Sequence, residues 1–160
     1  MTQVNYHYSV THITQQDQNY CWACALAMIL GRRSWSAALE IADRCPPSAR
    51  NPVTGAILDP AAAARALHLN ASRVTSFSPS ALSRRMGHGA VAVFGQYNTG
   101  AGNFDHVMVV SILRGELNDP ASVTVGVDDP LANGTRWTGP WNSWFGPGLT
   151  LRRADWIVGR

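Results

Sequence analysis

Apolar and polar positions divide the chain into two halves with different periods. Residues 1–18 are polar and aromatic without a sustained apolar run, and they read as an extended lead-in. From Cys21 to Leu30 almost every position is apolar, and Gly31 follows. A helix apolar all round is buried inside a domain. Glycine suits the left-handed residue that closes such a helix. Asn19 is placed to cap its start, near Tyr20. A second helix is predicted over 36–44, stopped by Pro46 and Pro47. Asp59 before Pro60, and Ser78 before Pro79, each put a capping side chain ahead of a proline at the first helical position. They predict helices over 61–67 and 80–86.

After Gly89 the pattern changes. Residues 90–94 and 106–113 read as buried strands, and 122–127 alternates with period two. Asn118 to Pro120 and the pair Asp129 and Pro130 mark turns. Residues 137–144 and 149–158 offer one or two further strands. Helices first and antiparallel strands second predict one α+β domain over residues 1–160, its helical half packing a buried helix on a C-terminal antiparallel sheet.

Composition narrows the function classes. The hydrophobic share of 46% against 14% charged residues is that of a globular chain and excludes wholesale disorder. The net charge is +3, all 13 basic residues are Arg, and they are scattered. No basic stripe with interleaved aromatics points to nucleic acid. The longest apolar run, Cys21 to Leu30, is too short for a bilayer. The first ten residues lack the basic and apolar regions of a secretory signal. The expectation is a protein made in the cytoplasm, with no membrane or nucleic-acid partner, and a monomer. Three cysteines cannot all pair within one chain, and no second Cys-x-x-Cys supports a zinc ribbon. No metal or organic cofactor is expected.

The strongest chemical signal is Cys21 at the start of the buried helix. Unpaired backbone N–H groups and the helix dipole favour negative charge there, and the thiolate is the attacking form of cysteine. A thiolate nucleophile needs a base, a group that orients the base, and donors for the oxyanion. Of the five histidines, His7 and His12 lie in the lead-in, His68 ends a helix and His88 sits between glycines. His106 alone opens a buried strand, which suits a rigidly held base. The next strand ends in Asp128 and Asp129, beside the start of its hairpin partner. Their side chains point to opposite faces, so either one, but not both, can orient His106. Cys24 and Cys45 read as small buried apolar residues, and a redox pair between Cys21 and Cys24 lacks its usual strand context. Trp137, Trp141 and Trp144 read as packing of the last strands onto the core, in preference to a binding platform or a groove wall.

Gln15, standing six residues before the Cys21-Trp22 pair, resembles the Gln and Cys-Trp motif of papain-like cysteine peptidases. The run from Gln15 through Ala23 is similar to the start of bacterial papain-like effector proteases. The segments Asp105-His106-Val107 and Asp128-Asp129-Pro130 resemble the His and Asp-Pro segments of double-glycine peptidases, which trim bacteriocin leaders. The resemblance implies a papain-like fold and peptidase activity on a protein substrate, with cleavage after Gly-Gly. It implies that Asp129 orients His106 and that the Gln15 amide joins the Cys21 N–H in the oxyanion hole. It also implies a toxin or effector, delivered by a specialised secretion system and held in check by a cognate inhibitor protein. The Cys-Gly-Ser-Cys run of larger papain-like enzymes is absent. Two rival readings remain. The same triad can act on a side-chain amide or on cell-wall peptide as an amidase, deamidase or transglutaminase, or the domain can be a binding module without catalysis.

Overall fold

Strong capping chemistry fixes most of the helices. The computed structural model describes residues 2–131, 136–144 and 150–160. Helix α1 is Cys21–Ile29, and every residue in it is buried. It ends in a Schellman motif: Gly31 lies at φ 75°, its N–H donates to the Met28 carbonyl, and the Arg32 N–H donates to Ala27. Helix α2 is Trp35–Arg44, one residue longer at its start than expected because the Ser34 hydroxyl caps it by accepting from the Ala37 N–H. Asp59 and Ser78 cap α3, Pro60–Ala66, and α4, Pro79–Ser83, in the same way. Helix α4 stops three residues short of the expected end, at a tight turn in which the Arg85 and Met86 N–H groups bond back to Leu82 and Ser83.

The strands are β1 Gln3–His7, β2 Asn70–Arg73, β3 Val91–Asn98, β4 Asn103–Glu116, β5 Thr124–Asp128, β6 Arg136–Pro140 and β7 Thr150–Gly159. They form one antiparallel sheet in the order β2-β7-β3-β4-β5-β6, with β1 beside the far end of β4. Strands β1 and β2 were not separately expected, since short alternation in polar segments carries little signal. Leu149, the first residue of the last expected strand, lies outside the described residues.

Both faces of the sheet are covered, which is why its central strands read as unbroken apolar runs. On one face Ala92, Phe94, Val107 and Val109 pack against α1. Full burial of Leu26, Met28 and Ile29 in that layer stabilises the fold by roughly 1.5–3 kcal/mol each. On the other face Val91, Val93, Met108 and Val110 pack beneath Leu82, Met86 and Trp144. Phe77, Trp141 and Trp144 form an aromatic cluster with ring centroids 5.2–5.3 Å apart. The tryptophan-rich segment is thus core packing, on the side away from the cleft described next.

Candidate active site

Three elements deliver three side chains to one point. Helix α1 begins at Cys21, and its N-cap is Tyr20, which offers no side-chain hydrogen bond. The expected cap, Asn19, is instead part of a turn, where its N–H donates to the Asp17 carboxylate at 2.9 Å and the Tyr20 N–H donates to the Asp17 carbonyl. Tyr20 is wedged between the rings of Trp22 and Trp35 at 6.2 and 6.0 Å. The Trp22 indole donates to the Gly55 carbonyl at 3.0 Å, which ties the start of the helix to the 51–58 loop. Without a side-chain cap, the positive end of the helix is left for whatever occupies the site beside Cys21.

His106 does not open its strand as expected but is the fourth residue of β4, because Asn103, Phe104 and Asp105 extend the ladder with β3 toward the hairpin. Its cross-strand partner is Gly95 on β3. The ring is buried between Tyr97, in an edge contact at 5.6 Å, and Phe104 at 5.5 Å. Its Nε2 lies 2.7 Å from the Asp129 Oδ1. The Cys21 side chain is near enough to act on the ring's charge, and both residues line the same cleft. Since Nε2 serves Asp129, Nδ1 is the ring nitrogen left to serve Cys21. Burial pushes the imidazole toward its neutral form. The hydrogen bond to Asp129, with the neighbouring Cys21 and the charges of both groups, outweighs burial and raises its pKa from 6.5 to about 9. The Tyr97 phenol beneath is raised well above 10 by burial, with the Asp129 and Cys21 charges adding to it, and stays neutral.

The strand register settles which aspartate meets His106. Asp128 is the last residue of β5, opposite Val109, and Asp129 is the next residue, turned to the His106 face. Asp129 also accepts from the Leu131 N–H at 3.0 Å, which fixes its carboxylate. Asp128 points the other way. It takes the Arg136 Nε at 2.6 Å and lies 3.2 Å from His12 Nδ1. Arg136 also donates to the Val10 carbonyl, and the Gln15 N–H donates to the Pro130 carbonyl at 2.7 Å. The lead-in is therefore strapped across the 128–130 turn.

Gln15 is buried, and its amide donates to the Asp17 carbonyl at 3.1 Å while its own carbonyl oxygen has no partner among the described residues. Gln15 is not among the described residues that line the cleft, whereas Gln18 and Asn19 are. Cys24 and Cys45 are buried free thiols. Burial, reinforced by the Cys21 charge, pushes Cys24 up to about 12, which suits an inert core residue. His7 sits in β1, His68 in a left-handed turn at φ 58°, and His88 is exposed.

Cys21 and His106 open onto a cleft of about 490 Å³. One wall is Trp22 with residues 56–58, and the sheet supplies Gly95, Arg153, Asp155 and Trp156 as floor. A register shift between Phe94 and Gly95 in the β3–β7 ladder is what aims the β7 side chains there. A Cβ on Gly95 would stand 2.0 Å from the Arg153 carbonyl oxygen, so the close approach of these backbones requires glycine. Tyr97, Gly95 and the β7 residues are not legible from local pattern, because a bulge leaves no trace in hydrophobic period. Among the described residues no group of three His, Cys, Asp or Glu side chains is gathered to hold a metal.

The arrangement of a helix carrying Cys at its first position against an antiparallel sheet carrying His and Asp is the papain-like α+β fold. In particular, the chain matches the crystal structure of a double-glycine motif protease from an AMS/PCAT transporter, solved in complex with its leader peptide. The TM-score is 0.55, the identity 16%, and the match covers 98% of this chain and 97% of the other. No family model and no curated protein matches the sequence.

Proposed function

We propose that the chain is a cysteine peptidase in which Cys21 attacks a peptide carbonyl and His106 carries its proton. The observation that carries this reading is the hydrogen bond between Asp129 and His106, with Cys21 and His106 opening together onto one cleft. His106 takes the thiol proton through Nδ1 and becomes an imidazolium, which its raised pKa favours. Asp129 holds Nε2–H and so fixes tautomer and ring plane. The thiolate adds to the carbonyl carbon, and the developing oxyanion is taken by the Cys21 N–H at the uncapped start of α1. The Gln15 amide has a second N–H proton beyond the one given to Asp17, and we assign it to the same oxyanion. The imidazolium then protonates the leaving amine, the C–N bond breaks, and the neutral imidazole draws a proton from the water that releases the acyl group.

The double-glycine protease to which the fold is similar was solved with a leader peptide. That similarity supports cleavage after Gly-Gly in a polypeptide. The biological setting we infer is a toxin or effector delivered into another cell by a specialised route, with an inhibitor protein that fills the cleft. Incubation of the chain and of a Cys21→Ala variant with an electrophilic Gly-Gly peptide and with Gly-Gly substrates tests the chemistry. Labelling at Cys21 and cleavage by the unmodified chain alone are expected. Equal hydrolysis by both proteins would remove the peptidase reading. Backbone-intact products carrying a new acid would move it to a side-chain amidase. Expression in a bacterium without any partner tests the setting: arrested growth that the Cys21→Ala variant does not cause is expected, and healthy growth with active enzyme inside would count against it.

A further inference from the structure

The charged groups on the cleft floor are unevenly partnered. Arg153 is committed to Asp155, with Nε–Oδ1 at 2.7 Å and a second contact at 3.4 Å, and Asp105 adds to its negative surroundings. Arg73 is different. It ends β2, opposite Trp156 on β7, and its guanidinium carbon lies 5.3 Å from the centre of the Trp156 ring. Among the described residues no carboxylate lies within ion-pair distance of it. Stacking on an indole face holds a guanidinium flat while leaving its edge N–H donors free. Both residues line the cleft that holds Cys21 and His106, and Leu58 on the opposite wall is 61% exposed.

We propose that Arg73, held on Trp156, is a specificity subsite that receives an Asp or Glu side chain of the polypeptide lying in the cleft. This deepens the peptidase reading and rests on it. The fit is to geometry and to charge. A free planar fork of donors matches a carboxylate in bidentate fashion. Arg73 and Arg153 stand against Asp105 and Asp155 on this floor, so its formal charges sum to zero. A single carboxylate is therefore held by the Arg73 donors themselves and not by a net positive field, whereas a phosphate dianion would be met by Asp105 and Asp155. Leu58 gives the stem of the same substrate segment an apolar surface across the cleft.

The test uses Gly-Gly peptides in which Glu or Gln is placed in turn at each position flanking the glycines. Cleavage is followed with the whole chain, and binding with the Cys21→Ala variant. At one position the Glu peptide is expected to exceed its Gln partner roughly tenfold in kcat/KM and in affinity. Arg73→Gln should level the two, Arg73→Glu should favour Lys at that position, and Trp156→Leu should weaken the preference. Labelling of Cys21 by a small electrophile, which does not reach Arg73, should be unchanged in all three. A Glu preference that survives Arg73→Gln, or cleavage with no Glu preference at any position, overturns the subsite. Binding with a Glu preference but no cleavage would remove the peptidase reading and leave the subsite standing. Neither cleavage nor binding of any peptide overturns both.

Discussion

Replacing Asp129 separates what its charge does from what its shape does. In the structure its carboxylate takes Nε2 of a buried histidine at 2.7 Å, and the imidazole pKa rises from 6.5 to about 9 against the pull of burial. At about 1.36 kcal/mol per unit, the surroundings favour the imidazolium by about 3 kcal/mol. Asp129→Asn keeps an acceptor at the same place and so keeps ring orientation, but removes the charge. Burial then dominates, and His106 should titrate near or below its ordinary value. The assay is the pH dependence of kcat/KM, alongside the rate of Cys21 alkylation. The unmodified chain should hold its activity up to an alkaline limb near 9, where the imidazolium is lost. In Asp129→Asn that limb should move acid by about two units, with much of the turnover retained at the new optimum. Asp129→Ala loses orientation too and should cost about 10²-fold or more at every pH. The same shift links folding to pH. Because the folded pKa is raised, the stabilisation is complete below about 6.5 and is lost as pH passes through about 9. An alkaline limb unmoved in Asp129→Asn would refute the argument that this carboxylate sets the charge of His106.

Three further outcomes are expected. Gln15→Ala should lower kcat on the order of 10²-fold with little change in KM, as loss of one oxyanion donor does; the same loss in Gln18→Ala instead would move the donor to the residue that lines the cleft. Asp128→Ala should leave the alkaline limb of the pH profile in place but destabilise the chain by about 1.5–3 kcal/mol, the range for hydrogen bonds to charged groups, and expose the 8–15 lead-in to limited proteolysis. Gly95→Ala forces a backbone shift against Arg153 and should destabilise by about 1–3 kcal/mol in denaturant unfolding, with Glu-peptide selectivity falling as the β7 side chains move.

What could be read from the chain followed from local rules. The prolines at 60 and 79 with their capping Asp59 and Ser78, and Gly31 at φ 75°, obey steric and hydrogen-bonding constraints that act within a few residues. The unbroken apolar runs 21–30 and 106–113 announced burial on all sides, which is what α1 and β4 have. Asn19 failed as a cap because Asp17, two residues earlier, takes the backbone into its own turn, and competition among neighbouring polar side chains has no period to read. The choice between Asp128 and Asp129 also lay beyond local pattern, since it depends on how far β5 extends and on the partner opposite Val109.

The two aspartates show why the site needs the whole sheet. Consecutive strand residues face opposite sides, so a single dipeptide serves two clamps. Asp129 binds His106 on one side, while Asp128 gathers His12 and Arg136 on the other and holds the lead-in whose next fixed point is Gln15 bonded to Pro130. A slip of one residue in the β4–β5 pairing would exchange these faces, leaving His106 without its carboxylate and a buried Asp129 facing Arg136 in Asp128's place. The Ser111 irregularity in β4, where Val110 pairs with Val127 and Ile112 with Gly126, therefore lies in the same ladder that brings Asp129 to His106. Changes at that bulge, far from the cleft, should act on activity through register and so lower stability and turnover together, while a change at Cys21 lowers turnover alone.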